Sequence, residues 1–122
     1  MLDGRHILRH IGVEAAELES RELLAYAAGK DRQTLLRDLR LYVGEDVEQR
    51  FAELLQRRME GEPAAYIIGE WSFYDLDLDV NRSVLIPRAD TELIATRAIE
   101  VATLAGDGCR VLDLCTGSGC IG

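Results

Sequence analysis

The sequence lacks several features that mark whole classes of protein. Its 122 residues contain no run of eighteen apolar residues, so we expect no transmembrane helix. The first residues lack a basic stretch followed by an apolar core, so we expect no signal peptide and a cytoplasmic location. With 14 Lys and Arg against 22 Asp and Glu, the net charge of -8 argues against binding nucleic acid through a basic surface.

Cysteine and histidine are also scarce. The three cysteines are Cys109, Cys115 and Cys120, an odd number that is typical of reduced thiols when no secretion signal is present. Their spacing does not match a paired CxxC site, and the two histidines lie far away in the sequence. We therefore predict no metal site.

The first sixty residues have the apolar periodicity of short helices, which predicts a small bundle. We expect helices over residues 6–11 and 14–28, the second ended by a left-handed Gly29. Asp31 is predicted to cap a third helix and Asp46 a fourth, which ends at Gly61 and Pro63. The apolar faces of these two helices are expected to comprise Leu35, Leu36, Leu39 and Val43, and Val47, Phe51, Leu54, Leu55 and Met59. We assign residues 1–62 to a helical N-terminal domain.

The residue pattern changes over residues 63–82 and predicts a β-hairpin linker. Residues 76–80 alternate apolar and acidic side chains, which is the period of a half-exposed strand, and Asp75 is a plausible turn residue. The aromatic side chains of Trp71, Phe73 and Tyr74 are interpreted as hairpin core, with substrate contact as the alternative.

Residues 83–122 read as the beginning of an α/β unit. Residues 84–86 are expected to be a strand or an extended segment before Pro87. Asp90 or Thr91 should cap a helix that runs to about Leu104. Residues 110–114 are predicted to form a strand that leads into a glycine-rich turn. The apolar face of the helix is expected to comprise Ile94, Ala98, Val101, Ala102 and Ala105.

The glycine-rich turn, Asp113-x-x-x-Gly117-x-Gly119, is typical of a nucleotide-binding loop. Glycine lets the backbone approach a ligand closely, because it has no Cβ. A dinucleotide site and an S-adenosyl-L-methionine site both fit, and in both Cys115 stands where the first glycine belongs. The local sequence does not separate the two.

Three upstream segments narrow the choice. Residues 61–70 read GEPAAYIIGE, residues 73–74 read FY, and residues 86–92 read IPRADTE. Together with the glycine-rich turn, they closely resemble the HemK (PrmC) family of glutamine methyltransferases that act on peptide chain release factors. The resemblance covers about residues 50 to 120 well and the helical N-terminus more loosely.

The resemblance implies a mixed fold: a small α-helical bundle domain that docks the release factor, a β-hairpin linker, and a Rossmann-like methyltransferase domain of which residues 83–122 would be the truncated start. It implies methyl transfer from S-adenosyl-L-methionine to the side-chain amide of the glutamine in the Gly-Gly-Gln motif of release factors. No nucleic acid or membrane partner is implied.

The resemblance also implies roles for particular residues. Asp113 would anchor the loop, and Arg88 would lie in a segment that flanks the methionine end of the cofactor. From the residues alone, pairing of Arg88 with Asp90 or Glu92 is an equal alternative. Cys115 would cost about 1 kcal/mol if its position needs a positive φ. The loop under the methionine end of the cofactor would comprise Cys115, Thr116, Gly117, Ser118 and Gly119.

No catalytic residue is predicted within these 122 positions. An amide nitrogen is a poor nucleophile, so its hydrogens must be held by well-placed acceptors, which in this family an Asn-Pro-Pro-Tyr motif supplies. The two prolines here, Pro63 and Pro87, are not adjacent, so that motif is absent. We therefore expect the chain alone to be inactive and to bind no S-adenosyl-L-methionine. We further expect residues 1–60 to fold alone and the chain from about Asn81 to be labile.

Two other functions stay open at this point. The chain could be a non-catalytic module that docks a release factor. It could also belong to an NAD-type oxidoreductase, which the IPRADTE segment disfavours.

Overall fold

A computed structural model describes residues 3–31, 34–35 and 44–122, and two short helices open the chain. Helix α1 spans Gly4–His10 and α2 spans Ala16–Ala28, close to the predicted ranges. Gly29 follows α2 with φ 61° and ψ 32°, and its N–H donates to carbonyls of the last turn. The predicted left-handed cap is therefore confirmed.

Asp3 begins α1 as an N-cap that no sequence argument singled out. Its carboxylate accepts a hydrogen bond from the His6 N–H at 3.4 Å and another from the Arg5 guanidinium at 3.3 Å. The Arg5 bond and then the His6 bond favour the charged form, so the pKa of Asp3 lies below its ordinary value of 3.8. An acidic cap of this kind stabilises a helix start.

This cap predicts acid sensitivity at the start of α1. Because the folded pKa of Asp3 is depressed, its stabilising effect is complete above 3.8 and is lost as pH falls through the lower folded pKa. We expect the amide shifts of α1 to move towards disordered values as pH falls below 3.8. The Asp3→Asn variant, which caps without titrating, should not show this step in an NMR titration. An Asp3 carboxyl that titrates above its ordinary value would contradict the prediction.

The third predicted helix is only partly visible. The Asp31 carboxylate accepts hydrogen bonds from the N–H and the hydroxyl of Thr34, at 2.9 and 2.6 Å, which confirms Asp31 as a cap. Thr34 and Leu35 are helical and Leu35 is buried. The other predicted face residues, Leu36, Leu39 and Val43, lie outside the described residues.

Helix α3 spans Glu45–Met59, and the prediction of Asp46 as its cap is wrong. The N–H groups of Val47 and Glu48 already donate to the Gly44 carbonyl, at 3.1 and 3.0 Å, so Gly44 is the N-cap. Asp46 lies in the first turn, where a carboxylate still interacts favourably with the helix dipole. Phe51 and Leu55 are buried on the predicted face.

The short helix α4, Ala64–Ile68, occupies residues that we assigned to the linker. It contacts α2 and α3 and completes the core of the first compact unit, Met1–Ile68. A partly buried ion pair between Arg58 and Glu19, at 2.6 Å, links α3 to α2. The buried core comprises Leu8, Ala16, Leu23, Ala27, Phe51, Leu55, Ala64 and Ile67. This arrangement is the predicted helical bundle.

The second compact unit, Gly69–Gly122, begins with the predicted hairpin. Strands β1, Glu70–Phe73, and β2, Leu76–Asp79, pair antiparallel with Phe73 opposite Leu76. Tyr74 and Asp75 form the two-residue loop. Phe73 and Val80 are buried, whereas most side chains of β2 are exposed.

Helix α5 spans Ala89–Ala105, and its predicted caps are wrong. Arg88 is the N-cap residue and no side chain caps the helix, so Asp90 and Thr91 both lie within the first turn. The predicted apolar face is not a buried one, because Ile94 is 61% exposed and Ala95 is the only buried residue of the helix.

The predicted strand over residues 110–114 is not observed. Val111, Leu112 and Leu114 are exposed, and residues 110–113 have no regular structure. A strand is completed by hydrogen bonds to a neighbour, and the sheet in the described part of the chain contains only β1 and β2. Residues 84–86 are likewise without strand pairing. The observed fold is therefore mostly helical with one small hairpin, and no helix within the described ranges is both long and apolar enough to span a membrane.

Candidate functional site

The glycine-rich turn is a tightly wound loop. Three of its residues have a positive φ, namely Cys115 at 62°, Gly117 at 60° and Gly119 at 78°. The Asp113 carboxylate accepts a hydrogen bond from the Thr116 hydroxyl at 2.8 Å, and the Gly119 N–H donates to the Thr116 carbonyl at 2.9 Å. The structure thus brings the predicted site residues Asp113 and Thr116 together within the loop.

The face of this turn is open to a ligand. An added Cβ at Gly119 would meet no atom within 4 Å, and one at Gly117 would meet only the Cys115 carbonyl oxygen at 3.9 Å. Cys115 and Thr116 are exposed, and Ser118 is half-buried. Consecutive turns of this kind can present backbone N–H groups to a polar ligand. No group of metal-ligating side chains occurs among the residues described.

Cys115 occupies the conformation that favours glycine. Its φ is 62°, and a positive φ is the conformation in which a cysteine side chain raises the conformational free energy of the loop. A residue with a Cβ in this region loses about 1 kcal/mol relative to glycine. Cys115, which stands where a glycine was expected, is therefore a point of local strain in the loop.

The Cys115→Gly variant is expected to stabilise the turn. Relief of about 1 kcal/mol corresponds to roughly fivefold stronger protection of the Gly119 amide, whose N–H closes the turn. Hydrogen exchange followed by NMR measures this protection. Cys109→Gly is a suitable control, because Cys109 is exposed and lacks a positive φ. Weaker protection in Cys115→Gly than in the parent chain would contradict the prediction.

Arg88 lies at the N-terminus of α5 with an extended backbone, φ -95° and ψ 149°. Its side chain is exposed and forms no ion pair within the described ranges. The expected alternative, pairing with Asp90 or Glu92, is therefore not observed. No hydrogen bond links Arg88 to the glycine-rich turn in the described part of the chain. Arg88 presents a guanidinium that can form a bidentate contact with a carboxylate.

The hairpin contacts both ends of the IPRADTE segment, which the sequence did not reveal. The Trp71 indole N–H donates to the Pro87 carbonyl at 3.1 Å. The Glu92 carboxylate accepts a hydrogen bond from the Tyr74 N–H, also at 3.1 Å. One feature of the sequence could have indicated that other residues hold this loop in place. The loop Tyr74-Asp75 has no glycine, although a two-residue hairpin loop usually needs one.

Comparison with known proteins places these features in a family. The profile of the PrmC N-terminal domain matches residues 2–69. A release factor glutamine methyltransferase of Haemophilus influenzae is 38% identical over 112 residues, and one of Pseudomonas aeruginosa is 46% identical over 102. A bifunctional methyltransferase of Rickettsia felis is 34% identical over 140 residues.

These matches cover most of this chain but only part of each relative. They include 88%, 84% and 93% of this chain, and 38%, 36% and 27% of the respective relatives. The chain thus spans less than two fifths of the length of these curated relatives. The family profile alone covers more than half of the chain. The chain therefore belongs to the HemK (PrmC) family of release factor glutamine methyltransferases.

Proposed function

We propose that this chain carries the substrate-docking domain and the first part of the cofactor site of an S-adenosyl-L-methionine-dependent protein methyltransferase. The substrate would be the glutamine side-chain amide in the Gly-Gly-Gln motif of peptide chain release factors, in the cytoplasm. The observation that carries the proposal is the family membership together with the open glycine-rich turn, residues 113–119. The corresponding division of the chain is a docking domain over residues 1–62, a linker over 63–82 and a methyltransferase part over 83–122.

The residues of the turn fit a cofactor with a polar amino-acid end. The Asp113–Thr116 hydrogen bond holds the loop closed, so that backbone N–H groups of the loop are available to a ligand. Cys115, Thr116, Gly117, Ser118 and Gly119 would lie under the methionine end. The Arg88 guanidinium, which has no ion-pair partner in the described part of the chain, would hold a carboxylate. When bound, S-adenosyl-L-methionine supplies an electrophilic methyl group.

The contribution of these residues to catalysis is binding and orientation. An amide nitrogen reacts only when it is held in line with the methyl group, so a fixed loop lowers the entropic cost of that alignment. Acceptors for the amide hydrogens are not among these residues, because the chain has no Asn-Pro-Pro-Tyr motif. Methyl transfer by the chain alone is therefore not expected.

The helical unit offers a surface for the release factor. An open groove of about 500 Å³ lies between the α1–α2 loop and the end of α3. Ile11 and Met59 are partly exposed along it, and the Arg58–Glu19 ion pair borders it. Partly exposed apolar side chains with a charged rim are typical of protein-binding surfaces. This observation also supports the second candidate function, a docking module without chemistry of its own.

A chimera tests the proposal. The chain would be joined after Gly122 to the part of the Pseudomonas aeruginosa relative that follows its matching region. We expect the chimera to transfer labelled methyl groups from S-adenosyl-L-methionine to a purified release factor, and not to a variant with alanine in place of the Gly-Gly-Gln glutamine. The chain alone is the control, which should bind the release factor but not the cofactor in calorimetry. Binding of the release factor without its methylation by the chimera would favour the docking module. If the chimera showed no binding and no methylation, both proposed functions would be overturned.

A further inference from the structure

The hairpin loop contains a residue in an unfavourable conformation. Tyr74 has a φ of 54°, while Asp75, the second loop residue, does not have a positive φ. This is the pattern of a type II′ turn, in which glycine normally occupies the first position. A bulky aromatic residue in this region is an outlier that persists only when its surroundings hold it.

Helix α5 supplies the contacts that hold Tyr74. The Glu92 carboxylate accepts the Tyr74 N–H at 3.1 Å, and the Glu92 carbonyl accepts the Tyr74 hydroxyl at 2.7 Å. The Tyr74 hydroxyl also forms a hydrogen bond with the hydroxyl of Thr96, one turn further along α5. Glu92 therefore binds both the backbone and the side chain of a single loop residue.

A second contact fixes the other end of the IPRADTE segment. The indole N–H of Trp71, in strand β1, donates to the carbonyl of Pro87 at 3.1 Å, and Pro87 is buried. Arg88 lies between these two contacts and is exposed and unpaired among the residues described. The hairpin thus holds the segment on both sides of Arg88 while leaving its guanidinium free.

We propose that Glu92 is a positioning residue, which latches the Tyr74 turn onto α5 and thereby sets the position of Arg88. In this proposal Glu92 acts through its hydrogen bond with the Tyr74 N–H and not through contact with the cofactor. The latch follows from these contacts alone, and its effect on cofactor binding rests on the proposed function. Arg88 is the group that would meet the carboxylate of the ligand.

Hydrogen exchange and fluorescence of the 122-residue chain test the latch. Hydrogen bonds to a charged acceptor are the stronger ones, so Glu92→Ala should accelerate exchange of the Tyr74 amide about tenfold or more. Trp71 is the only tryptophan and reports on the Pro87 contact, so its emission should shift to longer wavelength in the same variant. Glu92→Gln keeps an acceptor oxygen and should restore much of the protection.

Two further variants distinguish loss of the Glu92 contact from a general loss of structure. Glu100→Ala removes a carboxylate that pairs with Arg97 on the same helix, and it should leave the Tyr74 exchange rate and the Trp71 emission unchanged. Glycine at position 74 adopts a positive φ without support from Glu92. In the double variant Tyr74→Gly/Glu92→Ala the hairpin should therefore persist, while the Trp71 emission should stay at the longer wavelength. Unchanged Tyr74 exchange and Trp71 emission in Glu92→Ala would overturn the latch.

The chimera described above tests the consequence for the cofactor. Glu92→Ala should raise the KM for S-adenosyl-L-methionine about tenfold with little change in kcat, and Glu92→Gln should restore it in part. A fall in kcat at constant KM would overturn the positioning role. A chimera that methylates nothing would count against the proposed function only, because the exchange and fluorescence results decide the latch independently.

Discussion

Leu55→Ala is expected to destabilise the helical unit by about 2–5 kcal/mol, the range for removing a fully buried leucine. Leu55 is 1% exposed and lies in the cluster that joins α1, α2, α3 and α4. Removing its side chain leaves a cavity that the surrounding helices fill only in part. Urea unfolding followed by circular dichroism at the helical minimum measures the loss.

Met59→Ala is the matched control for Leu55→Ala. Both residues lie in α3, but Met59 is 46% exposed, so its truncation should cost well under half as much. Hydrogen exchange adds a second test, because the expected independent folding of the N-terminal helices predicts faster exchange in Met1–Ile68 and no change in Gly69–Gly122. Equal losses for the two variants would contradict the assignment of Leu55 to the core.

Gly4→Val is expected to destabilise the same unit by about 1–3 kcal/mol, through overpacking and not through a cavity. A Cβ at Gly4 would lie 2.5 Å from Cζ of Phe51 and 2.7 Å from Oγ of Ser20. All three residues are buried, so neither neighbour can move into solvent to relieve the overlap. The free energy of unfolding of Gly4→Val, and to a lesser degree of Gly4→Ala, should fall below that of the parent chain in urea.

A double-mutant cycle identifies the cause. Phe51→Leu removes the Cζ atom that the new Cβ would meet, so Gly4→Ala should cost less in the Phe51→Leu background than in the parent chain. Strictly additive losses would mean that the contact with Phe51 is not the source of the strain. The sequence around Gly4 does not indicate that a glycine is needed there, because the requirement comes from Phe51, 47 positions away.

The helical unit illustrates which features local sequence determines. The apolar spacing of Phe51 and Leu55 and the position of Gly29 correctly predicted a buried helix face and a left-handed helix end. Both depend on residues within a few turns of one another. The caps predicted at Asp46, Asp90 and Thr91 were wrong by two or three positions, because a suitable carboxylate or hydroxyl can cap a helix or lie in its first turn equally well.

The second unit illustrates the features that local sequence does not determine. The run over residues 110–114 is apolar enough for a strand, but a strand needs a neighbouring strand, and none lies beside it in the described part of the chain. The predicted face of α5 has helical apolar spacing, yet Ile94 is 61% exposed and Val101 is 49% exposed. A pattern predicts the shape of a segment, whereas burial depends on what packs against it.

By itself, the sequence determined the family, the helical periodicity of the N-terminal unit, the hairpin and the glycine-rich turn with its misfit at Cys115. Each of these features depends on residues that lie close together in the sequence. Only the tertiary structure decided that Gly4 abuts Phe51, that Arg88 has no ion-pair partner among the residues described, and that Glu92 accepts a hydrogen bond from the strained Tyr74 turn. Each of these depends on atoms that are distant in the chain and close in space, and a linear pattern of residue types does not record such distances.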